Sequence, residues 1–276
     1  MFNSSKQGII QLTQTIIITG STRGIGFGLA ADFLKRGCQV AINGRSQNAV
    51  DRAMADLAGR YPAERVWGQP GDMTQYDDAQ RLWDNAHSHF GTVDIWINNA
   101  GVAHPDLKFW TLPKDLIDTT VDLNLIGSMY GCRVAISGML AQGHGFVYNM
   151  YGFGSSGLMR NGMSIYGSTK RAINYFTEAV AKELDGQPVK IGALSPGMVV
   201  TDLVYDQYQD RPADFEKAKE AFNLLGDRVE NVTRHLVDLI LANDKNGAAL
   251  KHVSSAQMMS RMITGKLRKR DLFAKT

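Results

Sequence analysis

The sequence predicts the α/β class: a single domain built on a doubly wound parallel β-sheet with helices on both faces. Three observations carry that prediction. Short β-rich runs alternate with stretches of helical length, a glycine-rich turn stands where the first run gives way to the first helical stretch, and no internal repeat or low-complexity linker divides the 276 residues. Parallel neighbours need long crossovers, which helices of this length supply on both faces of a sheet. The chain is long for one average domain and short for two, and it buries a sizeable core without disulfides or metals.

Taken in order, residues 15–19 read as a buried strand, followed by the glycine-rich turn and an amphipathic helix over 25–36. Residues 38–43 form the second strand, 48–58 a helix and 66–69 the third strand. A helix over 76–90 leads into a fourth strand at 94–98, then a helix near 122–140 and a strand at 145–149. A long helix over 165–184 precedes the strand at 190–194, and residues 198–232 are less regular, the expected place for a mobile segment.

Composition narrows the function classes. Thirty basic against 27 acidic residues leave a net charge of +3, close to balance, which gives no reason to expect a nucleic-acid partner. Cys38 and Cys132 are too few for a disulfide framework and read as reduced packing residues. Residues 1–14 carry one lysine and no long apolar run, so no signal peptide is expected. No stretch approaches the ~18 apolar residues of a membrane span, and a soluble, cytoplasmic protein is the expectation. His87 and His89 lie two apart and share no helical face, and no cluster has metal-ligand spacing, so no metal is expected.

The turn reads Thr19-Gly20-Ser21-Thr22-Arg23-Gly24-Ile25-Gly26. Gly20 permits a tight turn, Gly24 lets backbone approach a pyrophosphate, and Gly26 allows close helix packing. The helix amino end then offers N–H groups and a positive dipole to phosphates. The alternative is a glycine-rich turn with no ligand; its position directly after a strand speaks for a cofactor.

This wide TGxxxGxG spacing, with the landmarks that follow it, resembles the short-chain dehydrogenase/reductase family. Those landmarks are Asp72 after the third strand, Asn98-Asn99-Ala100-Gly101 after the fourth, Asn124 in the next helix, Tyr166 to Lys170, and Ser195-Pro196-Gly197-Met198-Val199-Val200-Thr201. The resemblance spans residues 14–202 and implies a Rossmann-type fold, with 203–276 as substrate lid and C-terminal extension. It implies that Asp72 contacts an adenine, Asn99 the adenosine ribose, and Val199 with Thr201 the nicotinamide carboxamide and phosphates. Ser21, Thr22, Ile25, Met73, Ala100, Gly101, Pro196 and Gly197 complete the expected cofactor-binding set, together with Tyr166 and Lys170.

The cofactor expected is NADP(H). Recognition of NAD requires an acid after the second strand to accept the ribose 2′-OH, and here Asn43-Gly44-Arg45-Ser46 places glycine there. Arg45 and Arg23 suit a clamp on a 2′-phosphate, with Ser46 beside them; the other reading is that both arginines are solvated surface charges.

Tyr166 and Lys170 stand at i and i+4 and share a helix face. A tyrosine near pKa ~10 is a poor base at neutral pH, and a neighbouring ammonium is expected to lower that value. The resemblance implies that the lysine also binds the nicotinamide ribose and that Asn124 holds a water in a proton relay. The expected chemistry is hydride transfer between the nicotinamide and a small-molecule carbonyl or alcohol, Tyr166 donating a proton to the nascent alkoxide.

One position departs from the family, which places a catalytic serine three residues past the asparagine that closes strand five. Counting from Asn149 reaches Gly152, and counting back from Tyr166 reaches Phe153. Ser155 is the expected replacement for polarising the carbonyl oxygen, with Ser156 in reserve; alternatively both serve the loop. The same departure, with Asn-Met-x-Gly-x-Gly-Ser, Ser-Pro-Gly-Met-Val-x-Thr-Asp-Leu and Phe222-Asn223, resembles chlorophyll(ide) b reductases and their bacterial relatives. That implies a carbonyl on a large conjugated substrate. The missing serine also motivates the rival reading, an NADP(H)-binding regulatory protein with weak or lost catalysis.

Weaker signals remain. Leu203, Tyr205, Tyr208 and Phe215 suit either a lid over an apolar substrate or ordinary packing of one or two short helices. His104 and Trp110 read equally as pocket edge or surface loop. Residues 254–270 interleave Met258, Met259, Met262, Ile263 and Leu267 with Arg261, Lys266, Arg268, Lys269 and Arg270; docking on the parent domain or a sister subunit is expected over a membrane surface. The charge-poor helices bearing Asn124 and Tyr166 include Gly127, Gly131, Ala135, Ala172, Phe176 and Ala179, and by family resemblance imply a homodimer or homotetramer.

Overall fold

The structure, a computed structural model, describes residues 13–208, 212–264 and 270–274. Most of the segment read for a leader, and Lys266, Leu267, Arg268 and Lys269, lie outside the described residues.

The chain runs β1 (Thr15–Ile18), α1 (Gly24–Lys35), β2 (Gln39–Gly44), α2 (Gln47–Ala58), β3 (Val66–Pro70), α3 (Tyr76–Phe90) and β4 (Ile95–Asn98). Then come α4 (Lys114–Val121), a π-helical stretch (Asp122–Gly127), α5 (Ser128–Gln142), β5 (Gly145–Met150), α6 (Ser164–Glu183) and β6 (Val189–Ser195). The chain continues through β7 (Val199–Val200), α7 (Asp202–Tyr208), α8 (Pro212–Leu225), β8 (Asp227–Arg228), α9 (Val229–Ala242), β9 (Ala249–Lys251) and α10 (Ser255–Thr264).

Seven parallel strands lie in the order β3-β2-β1-β4-β5-β6-β9, with Ile16 paired to Val40 on one side and to Ile95 on the other. The order reverses between β1 and β4. The carboxyl ends of those strands therefore open a crevice, the usual ligand position in an open α/β sheet.

Alternation along each strand divides the core. Ile16, Ile18, Val40, Ile42, Ile95 and Ile97 meet α1, α2 and α9 through Leu29, Phe33, Leu57 and Leu236. Ile17, Ala41, Trp96 and Val147 meet the other layer through Leu82, Trp83, Cys132 and Met139. Near-continuous apolar strands follow from burial on both faces.

Beneath the crevice lies a buried polar network. The Asn98 amide donates to Asn149 Oδ1 at 2.9 Å and to the Ser128 carbonyl at 3.2 Å, while its own oxygen accepts from Trp96 Nε1 at 2.7 Å. The Asn149 amide donates onward to Thr177 Oγ1 at 2.9 Å. These bonds tie β4 and β5 to α5 and α6.

The structure adds elements the sequence reading left out. The expected helix over 122–140 is instead α5 entered through the π stretch, with α4 ahead of it, and residues 198–232 hold β7, α7, α8, β8 and the start of α9. β9 extends the sheet edge beside β6. Gly127, Gly131 and Ala135 face inward: a Cβ on Gly131 would fall 2.1 Å from Asn98 Oδ1, and one on Gly127 would fall 2.9 Å from the Met73 carbonyl oxygen, while Ala135 is fully buried.

α9 packs on α1 at Gly28, where a Cβ would lie 2.6 Å from Val229 Cγ1 and 2.9 Å from Thr233 Cγ2; beside it Thr233 Oγ1 donates to Asp32 at 2.7 Å. Gly28→Leu is therefore expected to destabilise the fold by about 1–3 kcal/mol, overcoming the ~1 kcal/mol helix-propensity gain. Urea unfolding measures it, and an unchanged midpoint would remove this contact as the reason for glycine.

Candidate active site

Gly20 and Gly24 both adopt φ of +59°, the left-handed region that side chains disfavour. The turn between β1 and α1 is held by its neighbours. Thr19 Oγ1 accepts from the Asn99 and Ala100 N–H groups, both at 3.0 Å, and the Asn99 amide donates to the carbonyls of Thr19 and Gly20 at 2.9 and 3.0 Å. Asn43, which the sequence reading passed over, accepts from Gly20 N–H at 3.2 Å and donates to the Gln69 and Gly71 carbonyls. Ser21 is fully buried and donates to the Ile18 carbonyl at 2.6 Å while accepting from Asn43 N–H; its hydroxyl shapes the turn.

The turn fits a pyrophosphate. Arg23 stands extended at the helix entry and gives α1 no side-chain cap. A Cβ on Gly24 would meet only Thr201, at 3.9 Å, whereas one on Gly26 would strike Asn99 Nδ2 at 2.5 Å. Gly24 thus keeps its outer side open and Gly26 packs the helix onto the turn, and Thr201 is brought alongside. Val199 and Pro196 are buried, and Gly197 turns the chain with φ of +76°.

At the end of β2, the place of a Gly44 Cβ is taken by Thr22 Cγ2, 2.5 Å away. An acidic side chain there would have to displace Thr22. Arg23 and Arg45 are both exposed, and Ser46 caps α2 by accepting from Ala49 N–H. Asp72 Oδ1 accepts from Thr74 N–H and Oγ1 at 3.0 and 2.9 Å, which fixes the turn after β3, with Met73 buried behind it.

The chemical residues gather at the carboxyl end of β5. Lys170 Nζ donates to the Met150 carbonyl at 3.1 Å and lies 5.8 Å from the centre of the Tyr166 ring. The Tyr166 hydroxyl rests against Gly152: a Cβ there would be 2.4 Å from that oxygen and 3.3 Å from Lys170 Cε. The space of the absent serine is therefore partly filled by the phenol. Gly154, at φ of +96°, lies close to the backbone of Gly167, which brings the loop after β5 onto the helix beside Tyr166.

Ser155 is buried, and its Oγ accepts from Gly152 N–H at 3.1 Å, while Ser156 is exposed. Asn124 is fully buried on the π stretch, where both ends of its amide bond the backbone of Val102, each at 2.8 Å. A relay through that side chain would have to break those bonds. His104, weighed above as pocket edge or surface loop, is 1% exposed, with Nε2 3.3 Å from the Tyr166 backbone N.

The aromatics weighed above as a lid or as ordinary helix packing lie against one another. Phe215 lies 5.5 Å from Tyr205, 5.8 Å from Tyr208 and 5.4 Å from Phe273, so C-terminal residues close the cluster. Leu203 lies in α7, but its side chain is outside the described positions. Arg261 on α10 donates to Asp227 at 2.8 Å, as Arg270 does at 3.4 Å, while Met259, Met262 and Ile263 remain exposed. Burial pushes the Asp227 carboxyl up, but hydrogen bonds from Arg261, His252 and Asn231 more than offset it and hold it below its usual value.

Burial also shifts the titration of the candidate pair Tyr166 and Lys170. It raises Tyr166 from 10.0 to about 12 and lowers Lys170 from 10.5 to about 8. The expected lowering of the phenol is thus reversed, because desolvation penalises the charged form of each group more than the ammonium stabilises the phenolate. The Lys170 change corresponds to about 3 kcal/mol at pH 7, from ~1.4 kcal/mol per tenfold change in proton affinity. Lys170→Met is expected to stabilise the cofactor-free chain below pH 8. The gain should fade between pH 8 and 10.5, where unfolded Lys170 still binds a proton that the folded form has lost. Urea unfolding across that range checks it, and a gain that grows with pH contradicts the assignment.

Residues 14–212 match the family described as short chain dehydrogenase. The chain is 38% identical over 239 residues to chlorophyll(ide) b reductase NOL, chloroplastic, of Arabidopsis thaliana, covering 84% of this chain and 67% of that protein. Its fold is like that of 3-ketoacyl-(acyl-carrier-protein) reductase from Brucella melitensis complexed with NADH, with TM-score 0.74, 24% identity, and 89% and 98% of the two chains covered. It is also like the closed form of serine dehydrogenase complexed with NADP+, with TM-score 0.76, 22% identity, and 86% and 94% covered. Sequence kinship over most of the crevice-forming chain joins the geometry to one conclusion: this chain belongs to the short chain dehydrogenase family of oxidoreductases.

Proposed function

We propose that the protein is an NADP(H)-dependent carbonyl reductase or alcohol dehydrogenase in which Tyr166 moves the proton. The observation that carries this reading is the phenol lodged over Gly152 with Lys170 beside it, at the crevice end of β5. A nicotinamide cofactor held by the Gly20–Gly26 turn would supply or accept the hydride. A phenol held near 12 stays protonated at neutral pH, the form that donates to a nascent alkoxide. The Lys170 ammonium, close to the ring, then steadies the phenolate left behind. Ser155, whose oxygen already accepts from Gly152 N–H, keeps its hydroxyl hydrogen for the substrate oxygen. Asn124 holds the loop at Val102, and the relay water that the resemblance implies for it would have to compete with those two bonds. Tyr166→Phe should abolish turnover while NADPH binding survives, and Ser155→Ala should lower kcat by roughly 10²-fold. Unchanged kcat in either variant rejects that residue's role.

The preference for NADP(H) rests on Thr22 occupying the position where an acid would meet the ribose, and on the exposed Arg23 and Arg45 nearby. Steady-state kinetics should give NADPH a kcat/KM at least tenfold above NADH, as a ~1.4 kcal/mol contact requires. Equal efficiency refutes the preference.

A bulky conjugated carbonyl is the proposed substrate class. The reductase named above is its support among relatives. In this chain Phe109 and Trp110, and Leu158 and Met159 on the loop after β5, are exposed, and Arg160 and Asp106 join the two loops at 2.8 Å. A carbonyl panel that includes a formyl tetrapyrrole, followed by NADPH oxidation, tests it. The regulatory reading rests on Gly152 alone and is the outcome if no carbonyl or alcohol supports turnover.

A homodimer or homotetramer is also proposed, supported by an apolar groove between α5 and α6 lined by Met129, Ile136, Leu140, Phe176 and Val180. Burial raises the Cys38 and Cys132 thiols to about 11 and about 12, which suits unreactive packing thiols.

A further inference from the structure

We infer that His104 is a positioning residue for Tyr166, acting from a distant loop as the missing cap of the helix that carries it. α6 enters through Met163, which offers no side-chain cap. The first N–H groups of a helix have no partner within it, and Tyr166 is the third residue of α6. Its N–H finds His104 Nε2 at 3.3 Å, across 62 residues of chain.

The tautomer is fixed by the ring's other side. His104 Nδ1 lies 2.9 Å from the Pro105 carbonyl oxygen, which can only accept, so Nδ1 carries the proton and Nε2 is left as an acceptor. The imidazole is 1% exposed, so water is a poor substitute for this bond.

The loop that presents His104 is itself fixed at both flanks. Asn124 clamps both backbone groups of Val102, and Arg160 holds Asp106, beside which Gly162 packs so closely that a Cβ would lie 2.8 Å from Asp106 Cα. The π stretch, the loop after β4 and the first turn of α6 thus form one connected frame. Because the bond is made to Tyr166's own backbone, a shift of the imidazole moves the phenol, and displacements of ~1 Å at a reacting group cost up to ~10²-fold in rate.

This inference rests on Tyr166 as proton donor, and its test has a readout that does not. His104→Gln keeps an acceptor oxygen near the Nε2 position, His104→Asn places it about one bond short, and His104→Leu removes it. In the full chain with NADPH and a carbonyl that the wild type reduces, kcat should fall at least about tenfold for Leu and Asn and stay within about threefold for Gln, with the NADPH Kd unchanged. Hydrogen exchange at the Tyr166 amide, read by NMR, should be slow in the wild type and Gln variant and fast in the others. A Leu variant with wild-type kcat overturns the inference, as does a Gln variant as slow as Leu; should Leu fail to fold, equality of Gln and Asn does so. If no carbonyl is reduced by the wild type, the oxidoreductase reading fails, and rapid exchange at Tyr166 in that protein independently overturns the cap.

Discussion

The reactive end of the molecule depends on the buried hydrogen bond between Asn98 and Asn149. These residues form the last pair between the parallel strands β4 and β5, where polar groups would otherwise be stranded in apolar surroundings. Their amides instead satisfy one another and reach Trp96, Ser128 and Thr177, so two strands and two helices are locked in register by side chains. A buried polar network in which every member is satisfied specifies one arrangement; removing one partner leaves the others costly. Asn99, next along the chain, can then hold the glycine turn, and Met150, next after Asn149, can receive Lys170.

On this frame the reactive pair is held against its electrostatic preference. Among the described residues the hydrogen bond that Lys170 Nζ makes is to the Met150 carbonyl and not to an acid, and burial lowers the ammonium to about 8. The phenol above it is held in its neutral form by the same burial. At neutral pH the site thus sets a neutral phenol beside an ammonium in buried surroundings, the condition under which preorganised groups act most strongly on a reacting centre.

The strands, the turn at Gly20–Gly26 and the shared face of Tyr166 and Lys170 were legible because they are local: alternation, a short glycine spacing and a four-residue step each show within one window of sequence. What escaped was long-range. Asn43 matters because β2 lies beside the turn in space, and Gly28 because α9 crosses α1 there. β9 is three residues long and gains its identity from β6. His104 could be read as buried only once the helix of Tyr166 was placed 62 residues further on. The direction of the phenol's shift also needed the fold, since the i, i+4 spacing shows a cation nearby but not how much water is missing.

The place of the missing serine shows how volume and chemistry trade against each other. In sequence, Gly152 is a departure from the family pattern; in three dimensions the space it leaves is occupied, with the Tyr166 oxygen close to where a side chain would begin. A serine at that position would meet the phenol before it met a substrate. The backbone N–H of Gly152 is at the same time bonded to Ser155, three residues along, whose hydroxyl is buried. This is the hydroxyl proposed to serve in place of the serine, one turn of the loop beyond the strand end. The glycines at 152 and 154 fit that arrangement together, one by leaving room for the phenol and the other by letting the loop lie against Gly167, so a side chain at either position would disturb the contact between this loop and the helix of Tyr166.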